Sequence, residues 1–265
     1  MKAFDFSYGN KNLSDFGFIL CNFGGSKGFE TVSDGCQITF NTVPVLGGTK
    51  NRLVSTEYEE CLEDVWQICK YSCKGDIQEI TETEHRQITK WLNKKSFLKL
   101  KILDESHIDL YYEAAFNVSK IEIDGKLFGF ELEVRTNAPF AYQDVRTINI
   151  KNLEANGKHS INDTSHEEGY IYPKTEIVVN ADGNLNIHNA IEGRDTYIAN
   201  VSAGEVITMD YPVITSSLSS HNIQNDFNWC FFRVANTYEN SRNDLTISLP
   251  CSIKAEYSPI VKVGL

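Results

Sequence analysis

The chain has 265 residues, 41% hydrophobic and 11% aromatic, which suits one large or two ordinary folded domains and excludes a disordered polymer. Its formal charge of −11 repels phosphate backbones and argues against a specific nucleic-acid binder. No window approaches the roughly 18 apolar residues of a membrane helix, and no charged stretch leads into an apolar run near Met1, so we expect a soluble protein made in the cytoplasm, with no membrane insertion.

Phe4-Asp5-Phe6-Ser7-Tyr8 alternates with period two, Gly9 to Asn12 makes a turn, and Phe16 to Cys21 is extended again, which predicts a strand pair. The Gly-rich stretch from Asn22 to Gly35 is too polar for a core and reads as a loop or the start of an arm. Gln37 to Val43 alternates and stops at Pro44, and Val45-Leu46-Gly47-Gly48-Thr49-Lys50-Asn51-Arg52 is then a hairpin tip or loop. From Leu53 to Tyr71 one face collects Tyr58, Glu60, Leu62, Asp64, Trp66 and Ile68. Leu62, Val65, Trp66 and Cys69 also fit a helical period, so strand and helix both remain open here.

Thr81 and Glu84 have capping-box spacing, and Ile88, Trp91 and Leu92 form one apolar stripe, which predicts a helix over Thr83–Asn93 lying on a sheet. The period returns to two at Phe97. Asp124-Gly125 between extended runs predicts a hairpin, and Phe130 to Thr136 alternates once more. Asn137-Ala138-Pro139 breaks the pattern, so the domain boundary is placed there, giving residues 1–137 and 138–265.

The second half carries short apolar runs between turns such as Asn156-Gly157, Asp182-Gly183 and Ala203-Gly204, with no helix expected. Strands are predicted around 147–150, 176–179, 185–188, 197–201, 206–210, 229–234, 244–249 and 251–257. That spacing gives a β-sandwich of Greek-key or jelly-roll kind.

No constellation reads as catalytic, and no cofactor or metal is implied. Pairs such as Glu131 with Glu133, or Glu59 with Glu60, are ordinary solvated strand positions rather than a glycosidase dyad. The histidines lack H-E-x-x-H spacing, and no nucleophile elbow is present; Gly24-Gly25-Ser26-Lys27-Gly28 lacks the order of a phosphate loop. Cys61, Cys69 and Cys73 with His85 come nearest to a zinc pattern but lack two tight pairs. The seven cysteines are expected as reduced thiols packed like small apolar side chains. Tyr170, Tyr172, Tyr197, Tyr211 and Trp229 could serve a carbohydrate-binding, lectin-like module used in host adhesion, or equally a core or interface.

Taken in order, these segments resemble the distal tail (Dit) proteins of siphophages infecting Gram-positive bacteria. The resemblance rests on Phe4-x-Phe6 with Ser14-Asp15-Phe16-Gly17, and on Trp66 to Lys70 leading to a helix that closes with Trp91-Leu92. It continues through Tyr111-Tyr112 and Ala138-Pro139-Phe140 to Tyr172-Pro173, Gly204-Glu205, Phe227-Asn228 and Asp244 to Ile247. It favours strand for Leu53–Tyr71. It further implies a mainly β fold, with an N-terminal sheet or barrel domain carrying one helix and a C-terminal galectin-like β-sandwich. The family's role would be non-enzymatic, at the distal end of the virion tail after assembly in the host cytoplasm. A homohexameric ring of first domains would join the tail tube protein to a tail-tip hub of the tail-associated lysin type and anchor receptor-binding proteins. In that setting residues 22–52 suit an arm across the ring interface, and Val45, Leu46, Gly47, Gly48, Thr49, Lys50, Asn51 and Arg52 are the candidate contact residues.

Overall fold

Alternation in Phe6-Ser7-Tyr8 turns two aromatic rings inward, and the same rule builds most of the molecule. The computed structural model describes residues 5–23, 38–58, 61–71, 76–237 and 239–265. It falls into two compact units, Met1–Tyr142 with Lys262–Leu265, and Gln143–Val261.

The first unit contains β1 (Phe6–Tyr8), β2 (Lys11–Asn12), β3 (Phe18–Cys21), β4 (Ile38–Pro44), β5 (Asn51–Tyr58) and β6 (Glu63–Lys70). After helix α1 (Glu82–Leu92) come β7 (Leu98–Ile102), β8 (Leu110–Ile123), β9 (Lys126–Thr136) and, at the exit, β10 (Ala141–Gln143). One antiparallel sheet runs in the order β2-β1-β7-β8-β9-β6-β3. The β8–β9 hairpin turns at Asp124 and Gly125, whose φ angles of 51° and 76° give the twist of a primed turn.

Helix α1 begins where its sequence requires. The Glu84 amide donates to Thr81 Oγ1 (3.4 Å), and the Thr81 amide donates to Glu84 Oε2 (2.9 Å). Its buried Ile88, Trp91 and Leu92 close an aromatic core in which Phe6 stands 5.5 Å from Trp66, 5.6 Å from Phe116 and 5.7 Å from Trp91, ring centre to ring centre. Trp91 Nε1 donates to the Tyr8 carbonyl (3.0 Å), so the indole is satisfied as well as buried. Val263 and Leu265 pack against this core too, and Tyr112 Oη donates to the Gly264 carbonyl at 2.6 Å.

The second unit contains β11 (Arg146–Asn152), β12 (Gly157–Asn162), β13 (Gly169–Ile171), β14 (Lys174–Val179), β15 (Gly183–Asn189), β16 (Arg194–Val201), β17 (Val206–Asp210) and β18 (Val213–Ser216). Helix α2 (Ile223–Asp226), β19 (Val234–Asn236), β20 (Arg242–Ile247), β21 (Cys251–Tyr257) and β22 (Ile260–Val261) complete it. A five-stranded sheet, β11-β21-β14-β17-β18, and a four-stranded sheet, β12-β20-β15-β16, form the sandwich. Ile177, Ile207 and Ile253 of one sheet share a buried core with Leu185, Ile187, Ile198, Leu245 and Ile247 of the other.

Three expectations need correction. The tract Leu53–Tyr71 is two strands, β5 and β6, rather than one run. Residues 229–233 are not strand: Phe231 and Phe232 are buried without joining a ladder, so their apolarity reflects packing and not sheet pairing. The second half also contains the four-residue α2. Among the described cysteines none is bridged; Cys69 and Cys251 are buried, whereas Cys21, Cys61 and Cys230 are only partly so. Burial lifts the Cys251 thiol to about 11. Cys36 and Cys73 lie outside the described residues, as do Gly24 to Gly28, Glu59 and Glu60.

Candidate assembly surface

Among the described residues, strands β4 and β5 pair with each other and with no other strand. Their register runs from Ile38 opposite Tyr58 to Pro44 opposite Asn51, with an irregularity at Asn41 and Thr42 that leaves Val54 as the extra residue. Seven residues of strand make a ribbon about 23 Å long. The tip closes by a hydrogen bond from the Gly48 amide to the Val45 carbonyl (2.9 Å), and Gly47 takes a left-handed φ of 76° that suits glycine.

This ribbon is unusual in what it shows to water. Phe40 is 63% exposed, Val54 64%, and Leu46 at the tip is fully exposed. Ile38, Val43, Val45 and Leu53 are exposed as well. A soluble monomer seldom leaves so many large apolar side chains together on one projection, and a lone two-stranded ribbon is marginal in water. The sequence-predicted residues Val45 to Arg52 therefore all lie at the tip and its immediate flanks. Phe40 falls within the 22–52 arm read from the sequence but outside its contact residues Val45–Arg52, and Leu53 and Val54 lie beyond the arm altogether. The available signal was the neighbouring Thr39, Asn41, Thr42, Ser55 and Thr56, which supply no second apolar layer to cover them.

The other residues singled out from the sequence are placed as follows. Glu131 accepts from Gln67 Nε2 (3.2 Å) and Glu133 from Asn117 Nδ2 (3.3 Å), each along the sheet surface. His85 stacks on Phe130, and His159 Nε2 lies 3.0 Å from Asn152 Oδ1. Tyr172 and Tyr211 stack at 4.2 Å, Tyr170 meets Tyr172 edge-on, and Trp229 reaches Tyr211 through Phe231. Arg233 covers Tyr170 at 3.7 Å and is held by Glu192. Tyr197 stands apart from that stack, on the outer side of β16.

Comparison with known proteins decides the family. Residues 1–138 match the family described as phage tail protein N-terminal domain, and residues 140–257 match the phage tail C-terminal domain. The chain is a phage tail protein. No curated protein resembles it in sequence closely enough to match. In structure the tail protein is similar to SPP1 Dit (gp 19.1), described as a paradigm of the hub adsorption apparatus in phages infecting Gram-positive bacteria. The TM-score is 0.65 over 97% of this chain and 99% of that one, at 11% identity. At that identity the likeness establishes a shared, Dit-like fold. The expected mainly β fold in two β-rich parts is thereby borne out.

Proposed function

We propose that this tail protein forms a closed ring of six copies that joins the tail tube protein to the tail-tip hub protein and anchors receptor-binding proteins, without catalysing a reaction. Residues 1–137 would supply the ring and 138–265, a galectin-like sandwich, the attachment surface, after assembly in the host cytoplasm. The observation that supports this best is the β4–β5 ribbon with its uncovered Phe40, Leu46, Leu53 and Val54. Packing of the ribbon on the next copy removes its apolar side chains from water and supports its two strands. The contact is head-to-tail, and such contacts close into rings when the rotation per subunit divides a full turn.

Light scattering on the purified full chain tests the proposal. Six chains of 30.0 kDa give a mass of about 180 kDa. Deleting Gly47 to Lys50 is expected to lower that mass. A full chain that stays single at high concentration, or a deletion that leaves the ring mass unchanged, defeats the reading.

A further inference from the structure

The large sheet of the first unit has an outer face, turned away from the aromatic core, and its β3 end carries two thiols. Phe18 and Leu20 of β3, with Trp66 and Ile68 of β6, turn into the core, so alternation turns Ile19, Cys21, Gln67 and Cys69 the other way. The antiparallel register sets Cys21 opposite Gln67 and Cys69 opposite Ile19, which makes the two cysteines diagonal neighbours across the β3–β6 ladder. Their thiols are hydrogen-bonded to each other. Cys69 has no exposed surface, whereas Cys21, the last residue of β3, is partly exposed.

The surroundings give the two sulfurs different tasks. The Phe23 amide donates to Gln67 Oε1 (2.9 Å), and the Phe23 ring lies over Gly129, the residue opposite Cys69 on β9. Burial pushes the Cys21 thiol well up, and the adjoining Cys69 pushes it further. Burial raises Cys69 as well, but hydrogen bonds with Cys21 and Tyr71 draw it partly back. Cys69 is the readier thiolate, and Cys21 is the sulfur that solvent reaches.

We propose that Cys21 and Cys69 are a redox-active pair that closes to a disulfide when a small-molecule disulfide such as oxidised glutathione meets the protein. Cys21 Sγ loses its proton to solvent and attacks one glutathione sulfur; the S–S bond breaks, and one glutathione leaves and is protonated. Cys69 Sγ then loses its proton and attacks Cys21 Sγ of the mixed disulfide, releasing the second glutathione. Two thiols become one disulfide, and one glutathione disulfide becomes two thiols. Diagonal Cα atoms in a regular sheet stand about 7–8 Å apart, about 1 Å more than a relaxed disulfide spans, so the end of β3 moves in as the bond forms. Among the described residues β3 ends the sheet, so that shift disturbs one ladder only. A bond closed in this way is more easily reduced than a structural disulfide: reducing surroundings keep the thiols, and oxidising surroundings close a loop that contains both ribbon strands.

The test transfers the full chain from reductant into oxidised glutathione at pH 7 and pH 8 and maps the non-reduced peptides by mass spectrometry. The Cys21 and Cys69 peptides are expected to be joined within one chain and to separate in dithiothreitol. The initial rate should be about tenfold higher at pH 8, because the Cys21 thiol is far from half ionised at either pH. Cys21→Ser, at a partly exposed position, is expected to abolish the bridge, and Cys69→Ser to leave glutathione on Cys21 as a stable mixed disulfide. If Cys69→Ser fails to fold, Cys21→Ser decides. Both thiols still free after the cysteines of the urea-unfolded chain have fully oxidised would overturn the proposal. So would a bridge from either sulfur to Cys36 or Cys73 or to another chain, or an equal rate at the two pH values. The inference uses no residue of the ribbon, and light scattering on the same samples reports ring formation separately.

Discussion

His221 Nδ1 lies 2.6 Å from Oε1 of Glu205, and both side chains are withdrawn from solvent. The same carboxylate accepts from Ser216 Oγ (2.5 Å) and from the Ser202 amide (3.0 Å), and Asp226 approaches His221 Nε2 at 3.2 Å. Burial raises the Glu205 pKa, but the donors from Ser216, His221 and Ser202 outweigh it, so the carboxyl titrates below its ordinary range. A carboxylate depressed in the folded state adds stability that is complete above the unfolded pKa, about 4.3, and is lost as pH falls through the folded value. Glu205→Gln is therefore expected to cost about 3 kcal/mol at pH 7, with the gap to the parent narrowing below about pH 4. Urea unfolding at pH 7, 5 and 3 measures it; a gap independent of pH refutes the assignment.

The aromatic core of the first unit makes a sharper demand. Phe6 has no exposed surface and touches Trp66, Trp91 and Phe116 at once. Phe6→Ala should destabilise the first unit by about 3–5 kcal/mol, because three rings cannot all collapse into the space left. Calorimetry should show the loss, and a change under 1 kcal/mol would mean that the core repacks freely.

Gly129 sits in β9 opposite Cys69. A Cβ there would lie 2.6 Å from the Phe23 ring and 2.7 Å from the Ile68 carbonyl. The ring can swing aside, but the carbonyl belongs to the neighbouring strand. Gly129→Ala is expected to cost about 1–3 kcal/mol by overpacking. Thermal melting against the parent checks this, and an unchanged midpoint would count against the close β6–β9 approach.

For the ribbon, exposure predicts a separation of effects. Phe40→Ser with Leu46→Ser should leave the unfolding midpoint of the isolated chain nearly unchanged, within about 0.5 kcal/mol, since neither side chain is buried in a single copy. The same pair should lower the assembled mass. Loss of fold without loss of mass would place both residues in an intramolecular core instead.

The sequence disclosed what depends on local rules. Thr81 and Glu84 fix the start of α1, Asp124-Gly125 fixes the β8–β9 turn, and alternation fixes the inward residues of β9 and β21. It misled where two causes share one composition. Phe231 and Phe232 look like a strand but are held by aromatic packing, while Gly157–Asn162, with one buried isoleucine, looks like a polar loop but forms β12. Half of the candidate assembly surface was legible, because Gly47-Gly48 marks a turn. The exposure of Phe40 and Val54 was signalled only weakly, by the polar Thr39, Asn41, Thr42, Ser55 and Thr56 beside them, which leave no second apolar layer to cover either side chain.

Tyr112 donates its hydroxyl proton to Gly264, and the hydrophobic neighbours of that residue seal the same core. The second unit is in this sense an insert: the ribosome must deliver residues 143–261 before the first unit receives its last piece. At about 5–20 residues per second, the nascent sheet waits several seconds with one side unsealed. Any chaperone or premature neighbour that meets the growing chain in that interval meets Tyr112 uncapped.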